Sequence, residues 1–376
     1  MDRAHRRLLV LQSVLAIGNS MAASFALVFL LDPSVTQPPF TARDIALLNL
    51  VSFAISALGC VAFTRLRPRR ARASMAAGLA ALVVSYLAYL ALRGWPLLLV
   101  VAVAWGVYIP LFFLPFNSLV VRATKAKDRA GTIGTFILVY ALVAIAGPSV
   151  GGLIIHNLGY SVLFSIAGAV LLVNVGLVFG LRQGPEPIPF AFDFKGLGPR
   201  TTVALFAEGG FEGIAFAIIP VIAYGFTESP VDLGGLFSLF ALAGGVVTVV
   251  LGVWSDRLLV RRSFLAVGAG LSIVWTLLVV RASSVTEFAL GNSLLSLTSS
   301  VAPLFLYTIA VDRLAGRPAQ AVATREVLLN AGRAASLLVF FVLTAYGVPA
   351  QLAFALAAVS LAFVALGQDR PSDVPQ

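Results

Sequence analysis

The chain has 376 residues, 60% of them hydrophobic and 11% charged, with a mean hydropathy of +0.99. This excludes an ordinary water-soluble globule, whose apolar fraction is about 45–50% with about 25% charged residues, and points to a polytopic membrane protein. A net charge of +10 would suit a nucleic-acid binder only if the basic residues lined a solvated face with base-contacting or stacking groups; here they sit in short loops between apolar runs, and nucleic acid is not expected as a partner.

Cys60 is the only cysteine, and His5 and His156 are the only histidines. No intramolecular disulfide and no cysteine or zinc-type ligand set can form from them. There is no Ser/His/Asp arrangement and no G-x-x-x-x-G-K-[ST] loop, so neither an enzyme nor an ATP-driven pump is expected, and no cofactor or metal.

A helix needs about 20 apolar residues to cross a hydrocarbon layer of about 30 Å. Taken in chain order, twelve runs satisfy this: 8–31, 45–64, 73–92, 97–121, 132–155, 161–181, 201–226, 234–254, 263–280, 288–311, 326–346 and 350–367. The first follows a basic N-terminus and resembles a signal sequence in charge order. Its length exceeds a cleaved signal's apolar core, so it reads as a retained helix. Spans 3 and 4 are joined only by Arg93-Gly94-Trp95-Pro96, and spans 11 and 12 only by Gly347-Val348-Pro349, which forces antiparallel hairpins.

Of the 26 Lys and Arg, all but Arg43, Arg93, Arg281 and Arg333 fall on one side of this layout, including Arg313, Arg317 and Arg325 in the loop after span 10. The positive-inside rule then makes both termini cytoplasmic, in the plasma (inner) membrane of the cell. The stretch 182–200, RQGPEPIPFAFDFKGLGPR, reads as a Pro/Gly-rich cytoplasmic linker rather than a helix. It divides the chain into residues 1–181 and 201–376, six spans each, the plan of a duplicated transporter with its site between the repeats.

Span 7 carries two acids, Glu208 and Glu212. An acid at bilayer depth costs roughly 2.5–3.5 kcal/mol even on lenient insertion scales, so such groups face a water-filled cavity or a partner. Four-residue spacing puts both on one helix face, one turn apart. At about 1.5 Å per residue, Glu208 lies about 10 Å and Glu212 about 16 Å into the span, the latter near the midplane. Arg333 in span 11 lies at about the depth of Glu208.

Two readings follow. A Glu208–Arg333 or Glu212–Arg333 pair lowers the cost of burial and need move nothing. Alternatively, two acids against one base leave one spare, a titratable group for which solute and protons compete. Asn19 is as deep in span 1 as Glu212 in span 7, and the duplicated plan places them opposite one another across one cavity. Gln12, Asn117, Tyr140, Asn292, Tyr307 and Asn330 are further polar candidates, each also explicable as a helix–helix hydrogen bond.

GVWSDRLLVRR, Gly252 to Arg262, resembles the G-x-x-x-D-R-x-x-x-R-R loop of the major facilitator superfamily, and the resemblance extends over the whole chain. Gly252 permits close helix approach, and Asp256 can accept hydrogen bonds from Arg or from helix N-terminal amides across the cytoplasmic seam. This would be a latch; the alternative is that Arg257, Arg261 and Arg262 only enforce topology. The first-half counterpart, GCVAFTRLRPRR from Gly59, departs from the pattern, with Phe63 where the acid would be.

Gly147-Pro148-Ser149-Val150-Gly151-Gly152 in span 5 resembles the family's antiporter signature; generic small-residue packing accounts for the same letters. The arginine that drug:proton antiporters carry early in span 4 is absent, with Ala102 and Ala104 near its place. Asn330-Ala331-Gly332-Arg333 is similar to an Asn-x-x-Arg element of some members. The resemblance implies an all-α membrane fold of twelve helices in two pseudo-symmetric six-helix bundles. It further implies a monomeric secondary transporter of a small organic solute working by alternating access, proton-coupled and exporting, with a facilitator or a sugar or lipid exporter as the alternative and a non-transporting receptor as the outlier.

Overall fold

The computed structural model describes residues 3–66, 71–122, 129–181, 190–255, 261–314, 316–365 and 367. The described residues fold into helices with no strand. Ten helices are long and apolar enough to cross a membrane, and the shorter apolar segments Leu142–Leu158 and Ala350–Val364 bring the set to twelve. Large apolar side chains such as Leu58, Leu99, Leu158, Leu172, Val173 and Phe179 are exposed, as expected where acyl chains rather than water are the solvent.

Spans 1, 2 and 3 are Arg3–Leu31, Ala42–Leu66 and Ala71–Ala91. Span 4 runs Gly94–Tyr108, loosens into a π turn at Ile109–Phe113 and resumes as Leu114–Arg122. Pro110 lies in that turn, where its missing N–H removes a ladder bond. Spans 5 and 6 are Arg129–Leu158 and Tyr160–Phe179. Span 7 is Pro199–Phe226, started by Gly198 at φ 75° and by Pro199 in the first turn. Spans 8 and 9 are Pro230–Ser255 and Arg261–Arg281. Span 10 is Val285–Ser299 and Val301–Arg313, span 11 Pro318–Ala345, and span 12 Ala350–Ala353 and Leu356–Val364.

Two boundaries differ from the sequence reading in ways that affect function. Span 11 begins at Pro318 rather than near Glu326, so Arg325 is not a loop residue. Charge and small residues before Glu326 depress local hydropathy, although Pro at a helix start is itself a start signal. The linker also contains a one-turn helix, Phe194–Leu197, whose Gly196 N–H is accepted by the Asp193 carboxylate at 2.8 Å.

The packing pattern of the first six spans repeats in the second six. Spans 1–6, 1–5, 3–6, 2–4 and 3–4 are in contact, and so are 7–12, 7–11, 9–12, 8–10 and 9–10, each shifted by six. The halves meet where span 5 packs along span 8, span 2 along span 11, and span 1 against span 7. The fold is therefore two pseudo-symmetric six-helix bundles with a seam between them.

Glycines set how close the seam and its supports can be. Gly151 faces the Met21 carbonyl and Gly147 faces Ser20 in span 1, while Gly152 faces the Pro230 carbonyl and Gly234 the Pro148 carbonyl in the span 5–span 8 contact. Ser149 donates to Ser238 Oγ at 2.8 Å across it. Gly147, Pro148, Gly151 and Gly152 thus pack span 5 between spans 1 and 8.

In the second half, Gly209 faces the Leu329 backbone, Gly213 the Arg333 backbone and Gly332 the Phe206 carbonyl. Spans 7 and 11 cross backbone to backbone there. Gly332→Val would drive a branched side chain into that carbonyl. It is expected to cost about 1–3 kcal/mol, measured as a fall in melting temperature of the purified protein. Gly270→Ala, where the added Cβ meets open space, should leave it unchanged.

Candidate functional site

Close crossing of spans 7 and 11 brings five charged side chains together. Arg333 Nη2 donates to Glu212 Oε2 at 2.5 Å and Nη1 donates to Asn330 Oδ1 at 3.0 Å. The guanidinium lies 5.2 Å from the centre of the Phe53 ring. One layer nearer the starts of these spans, Arg325 Nη1 donates to Glu326 Oε1 at 3.0 Å and Nη2 to Glu208 Oε1 at 3.4 Å, with the guanidinium 4.8 Å over Tyr307. Three acids face two arginines, so one negative charge is in surplus when all are ionised.

The acids differ in access. Glu208 is 1% exposed, and its Oε2 has no hydrogen-bond partner among the described residues. The Glu212 side chain is 26% exposed and that of Arg333 18%. The difference follows from position: Glu212 lines a cavity of about 500 Å³, and Glu208 lies behind Arg325.

That cavity lies on the seam. Span 7 contributes Phe211, Glu212, Ala215 and Phe216, and span 11 contributes Arg325, Glu326 and Arg333. From the first half come Asn19, Phe53, Trp105, Tyr108, Ile109, Phe113 and Asn117. Trp105, Ile109, Phe113 and Asn117 are spaced every four residues through the π turn of span 4, so the turn keeps one face of that span on the cavity. Trp105 and Phe53 both lie against Phe216, at 5.6 and 6.3 Å between centroids. The space is large enough for a drug-sized molecule, apolar and aromatic around most of its wall, and charged at one end.

Of the residues named from sequence, Glu212, Arg333, Asn19 and Asn117 line the cavity. Asn19 Oδ1 accepts from the Tyr86 hydroxyl at 3.1 Å. Asn330 is fully buried, donates to the Glu326 carbonyl at 2.8 Å, and so holds its Oδ1 toward Arg333. Tyr307 is the platform beneath Arg325. Asn292 does not line the cavity: it is buried, and its amide has no partner among the described residues.

The Tyr140 side chain lies outside the described residues, as do Asp256, Arg257 and the side chains of Arg261 and Arg262. The backbone of Gly252 belongs to span 8, but the latch expected with Asp256 falls outside what is described. The sequence reading missed Arg325 and placed Glu326 only at the mouth of span 11. A signal for both was present. Arg325, Glu326 and Arg333 share one face of a helix begun at Pro318, since offsets of one and eight residues fall within about 100° at 3.6 residues per turn.

Comparison with known proteins agrees with this architecture. Residues 8–200 match the model of the Major Facilitator Superfamily. The Bacillus subtilis (strain 168) protein YqgE, itself uncharacterized, is 27% identical over 286 residues, covering 68% of this chain and 64% of that protein; the match thus spans less than two thirds of the relative's length. Among solved structures, the human organic anion transporter MFSD10 (TETRAN) superposes with a TM-score of 0.70 at 15% identity, covering 98% of this chain and 100% of that one. FucP in the outward conformation gives 0.68 at 14% identity, covering 96% and 97%. A variant of the E. coli fucose:proton symporter FucP gives 0.65 at 14%, with the same coverage. With a family model matched over half the chain and the fold shared over nearly all of it, the chain belongs to the Major Facilitator Superfamily of membrane transporters and is not an enzyme.

Proposed function

We propose that this chain is a monomeric, proton-coupled exporter of small amphipathic organic cations in the plasma membrane, with both termini cytoplasmic. Residues 1–181 and 201–376 are its rocking halves and 182–200 the connection between them. The observation that carries the reading is the surplus acid of the charged cluster, whose most exposed carboxylate, Glu212, opens onto an aromatic-walled cavity. An organic cation gains from both features, through charge and through the ring faces of Phe53, Trp105, Tyr108 and Phe216. Protonated Glu212 loses its hold on such a cation and ionised Glu212 regains it, so proton and solute exclude each other at one site. Mutual exclusion at a site that alternates between two sides yields exchange.

Glu208, Arg325 and Glu326 form the inner layer that fixes how much negative charge the cavity presents. The resemblance of Gly147-Pro148-Ser149-Val150-Gly151-Gly152 to the family's antiporter signature supports the exchange part of this reading. Proteoliposomes with an imposed pH gradient and a panel of lipophilic ammonium compounds test it. Glu212→Gln, which stands in for the protonated acid, is expected to reduce gradient-driven flux and solute counterflow alike, each at least tenfold. Flux that ignores the gradient in the unmodified protein supports the facilitator alternative instead.

A further inference from the structure

The sequence departs from its family at Phe63, where the first-half loop has a ring in place of an acid, and the structure shows what that ring touches. Phe63, at the end of span 2, packs edge-on against Phe190, the centroids 5.1 Å apart and the planes at 78°. Both are buried, at 4% exposure. Phe190 begins the described part of the connection between the halves, and the residues after it are fastened to the second half. The Asp193 N–H donates to Thr324 Oγ1 at 2.9 Å, and the Asp193 carboxylate pairs with Arg317 at 2.7 Å. The Leu197 carbonyl accepts from Arg313, and the Leu197 side chain is fully buried.

Residues 190–197 therefore cross the seam at the basic end, held by polar bonds to spans 10 and 11 and by an aromatic contact to span 2. Phe190 and Leu197 belong to an apolar cluster, separate from the main core, in which Cys60, Phe63 and Leu114 of the first half meet residues of the second such as Leu205 and Val322. Val322 stands nearer the basic end of span 11 than the cavity-lining Arg325, which puts this cluster between the cavity and that end.

We propose that residues 190–197 form an aromatic clasp that closes the basic end of the cavity, with Phe190 docked on Phe63 serving where a charged latch would otherwise hold the first half. Rocking apart of spans 2 and 11 at this end has to withdraw Phe190 from Phe63, because the Asp193 and Leu197 bonds carry the segment with the second half. An aromatic contact fits this role because it is short-ranged and insensitive to salt, whereas an ion pair at a wet membrane surface is screened. The clasp is also wired to the charged cluster, since Thr324, which accepts the Asp193 N–H, immediately precedes Arg325.

The test needs neither a solute nor a proton gradient, so it can fail or succeed independently of the transport reading. In a Cys60→Ala background, Asn117→Cys places a single thiol on the cavity wall, and its reaction with a membrane-impermeant maleimide is followed with reagent on each face of the membrane in turn. Phe190→Ala and, as a milder variant that keeps the apolar cluster filled, Phe63→Leu are each expected to raise the rate from the basic face, the first about tenfold. The pair Phe63→Cys with Phe190→Cys, in the same background with Asn117 unchanged, is expected to form a disulfide on mild oxidation. With Asn117→Cys added to this pair, oxidation leaves it as the one thiol free to react, and the cross-linked protein should label more slowly from that face than the parent that carries Asn117→Cys alone. Equal labelling of the parent and both single variants, or of the parent and the cross-linked protein, overturns the clasp. Retention of the parent's melting temperature in Phe63→Leu shows that a rate change reports opening rather than unfolding.

Discussion

Replacing Arg325 by Met is expected to destabilise the protein by about 3–5 kcal/mol, the usual cost of removing one partner from a buried ion pair. Arg325 is the cation nearest Glu208, it also holds Glu326, and its side chain is 14% exposed. Met keeps most of the length and apolar contact of the Arg stem, so little of the loss comes from an empty volume. What remains is Glu208, nearly inaccessible, with one oxygen already lacking a partner among the described residues and the other losing the one it had. Adding Glu208→Gln to the Arg325→Met variant removes the stranded charge and should recover more than half of the loss, a positive coupling in the double-mutant cycle. Denaturation of the purified protein followed by tryptophan fluorescence reads all four corners. A single-variant loss below about 1 kcal/mol with no coupling would mean that the two charges do not compensate one another.

Most of the architecture was legible because the bilayer imposes it. Twelve apolar runs, tight hairpins at Arg93–Pro96 and Gly347–Pro349, and acids on one face of span 7 are consequences of length and period, and the structure contains each of them. The Glu212–Arg333 pair was one of two pairings that depth permitted. Depth could not choose between them, because the choice rests on where spans 7 and 11 cross, and Gly209, Gly213 and Gly332 set that crossing through contacts between elements far apart in sequence. Arg325 was missed for a different reason. Hydropathy averages over a window, and a helix end rich in charge looks like a loop until its charges are seen to face inward. The role of Phe63 was beyond sequence altogether: its departure from a motif was visible, but its partner Phe190 sits in a Pro-rich stretch with no periodicity to place it.

Arg333→Lys should keep the fold and lose the transport. The substitution preserves the positive charge, so Glu212 stays compensated, and the melting temperature is expected to stay within a few degrees of the parent's. It does not preserve the fork. Arg333 reaches Glu212 with one terminal nitrogen and Asn330 with the other while its plane lies over Phe53. An ammonium on a flexible stem cannot hold these three directions at once. Losing a hydrogen bond to a charged group removes about 1.5–3 kcal/mol, which corresponds to a fall of roughly ten- to a hundredfold in rate if that bond shapes the conformation that carries solute. The exchange rate in proteoliposomes measures this, and Glu212→Gln placed on the Arg333→Lys background should add little further loss, because residues acting as one unit are not additive. Flux at the parent's level in Arg333→Lys would mean that the site needs only a charge at this position, and the solute would then be recognised by the aromatic wall and the acids alone.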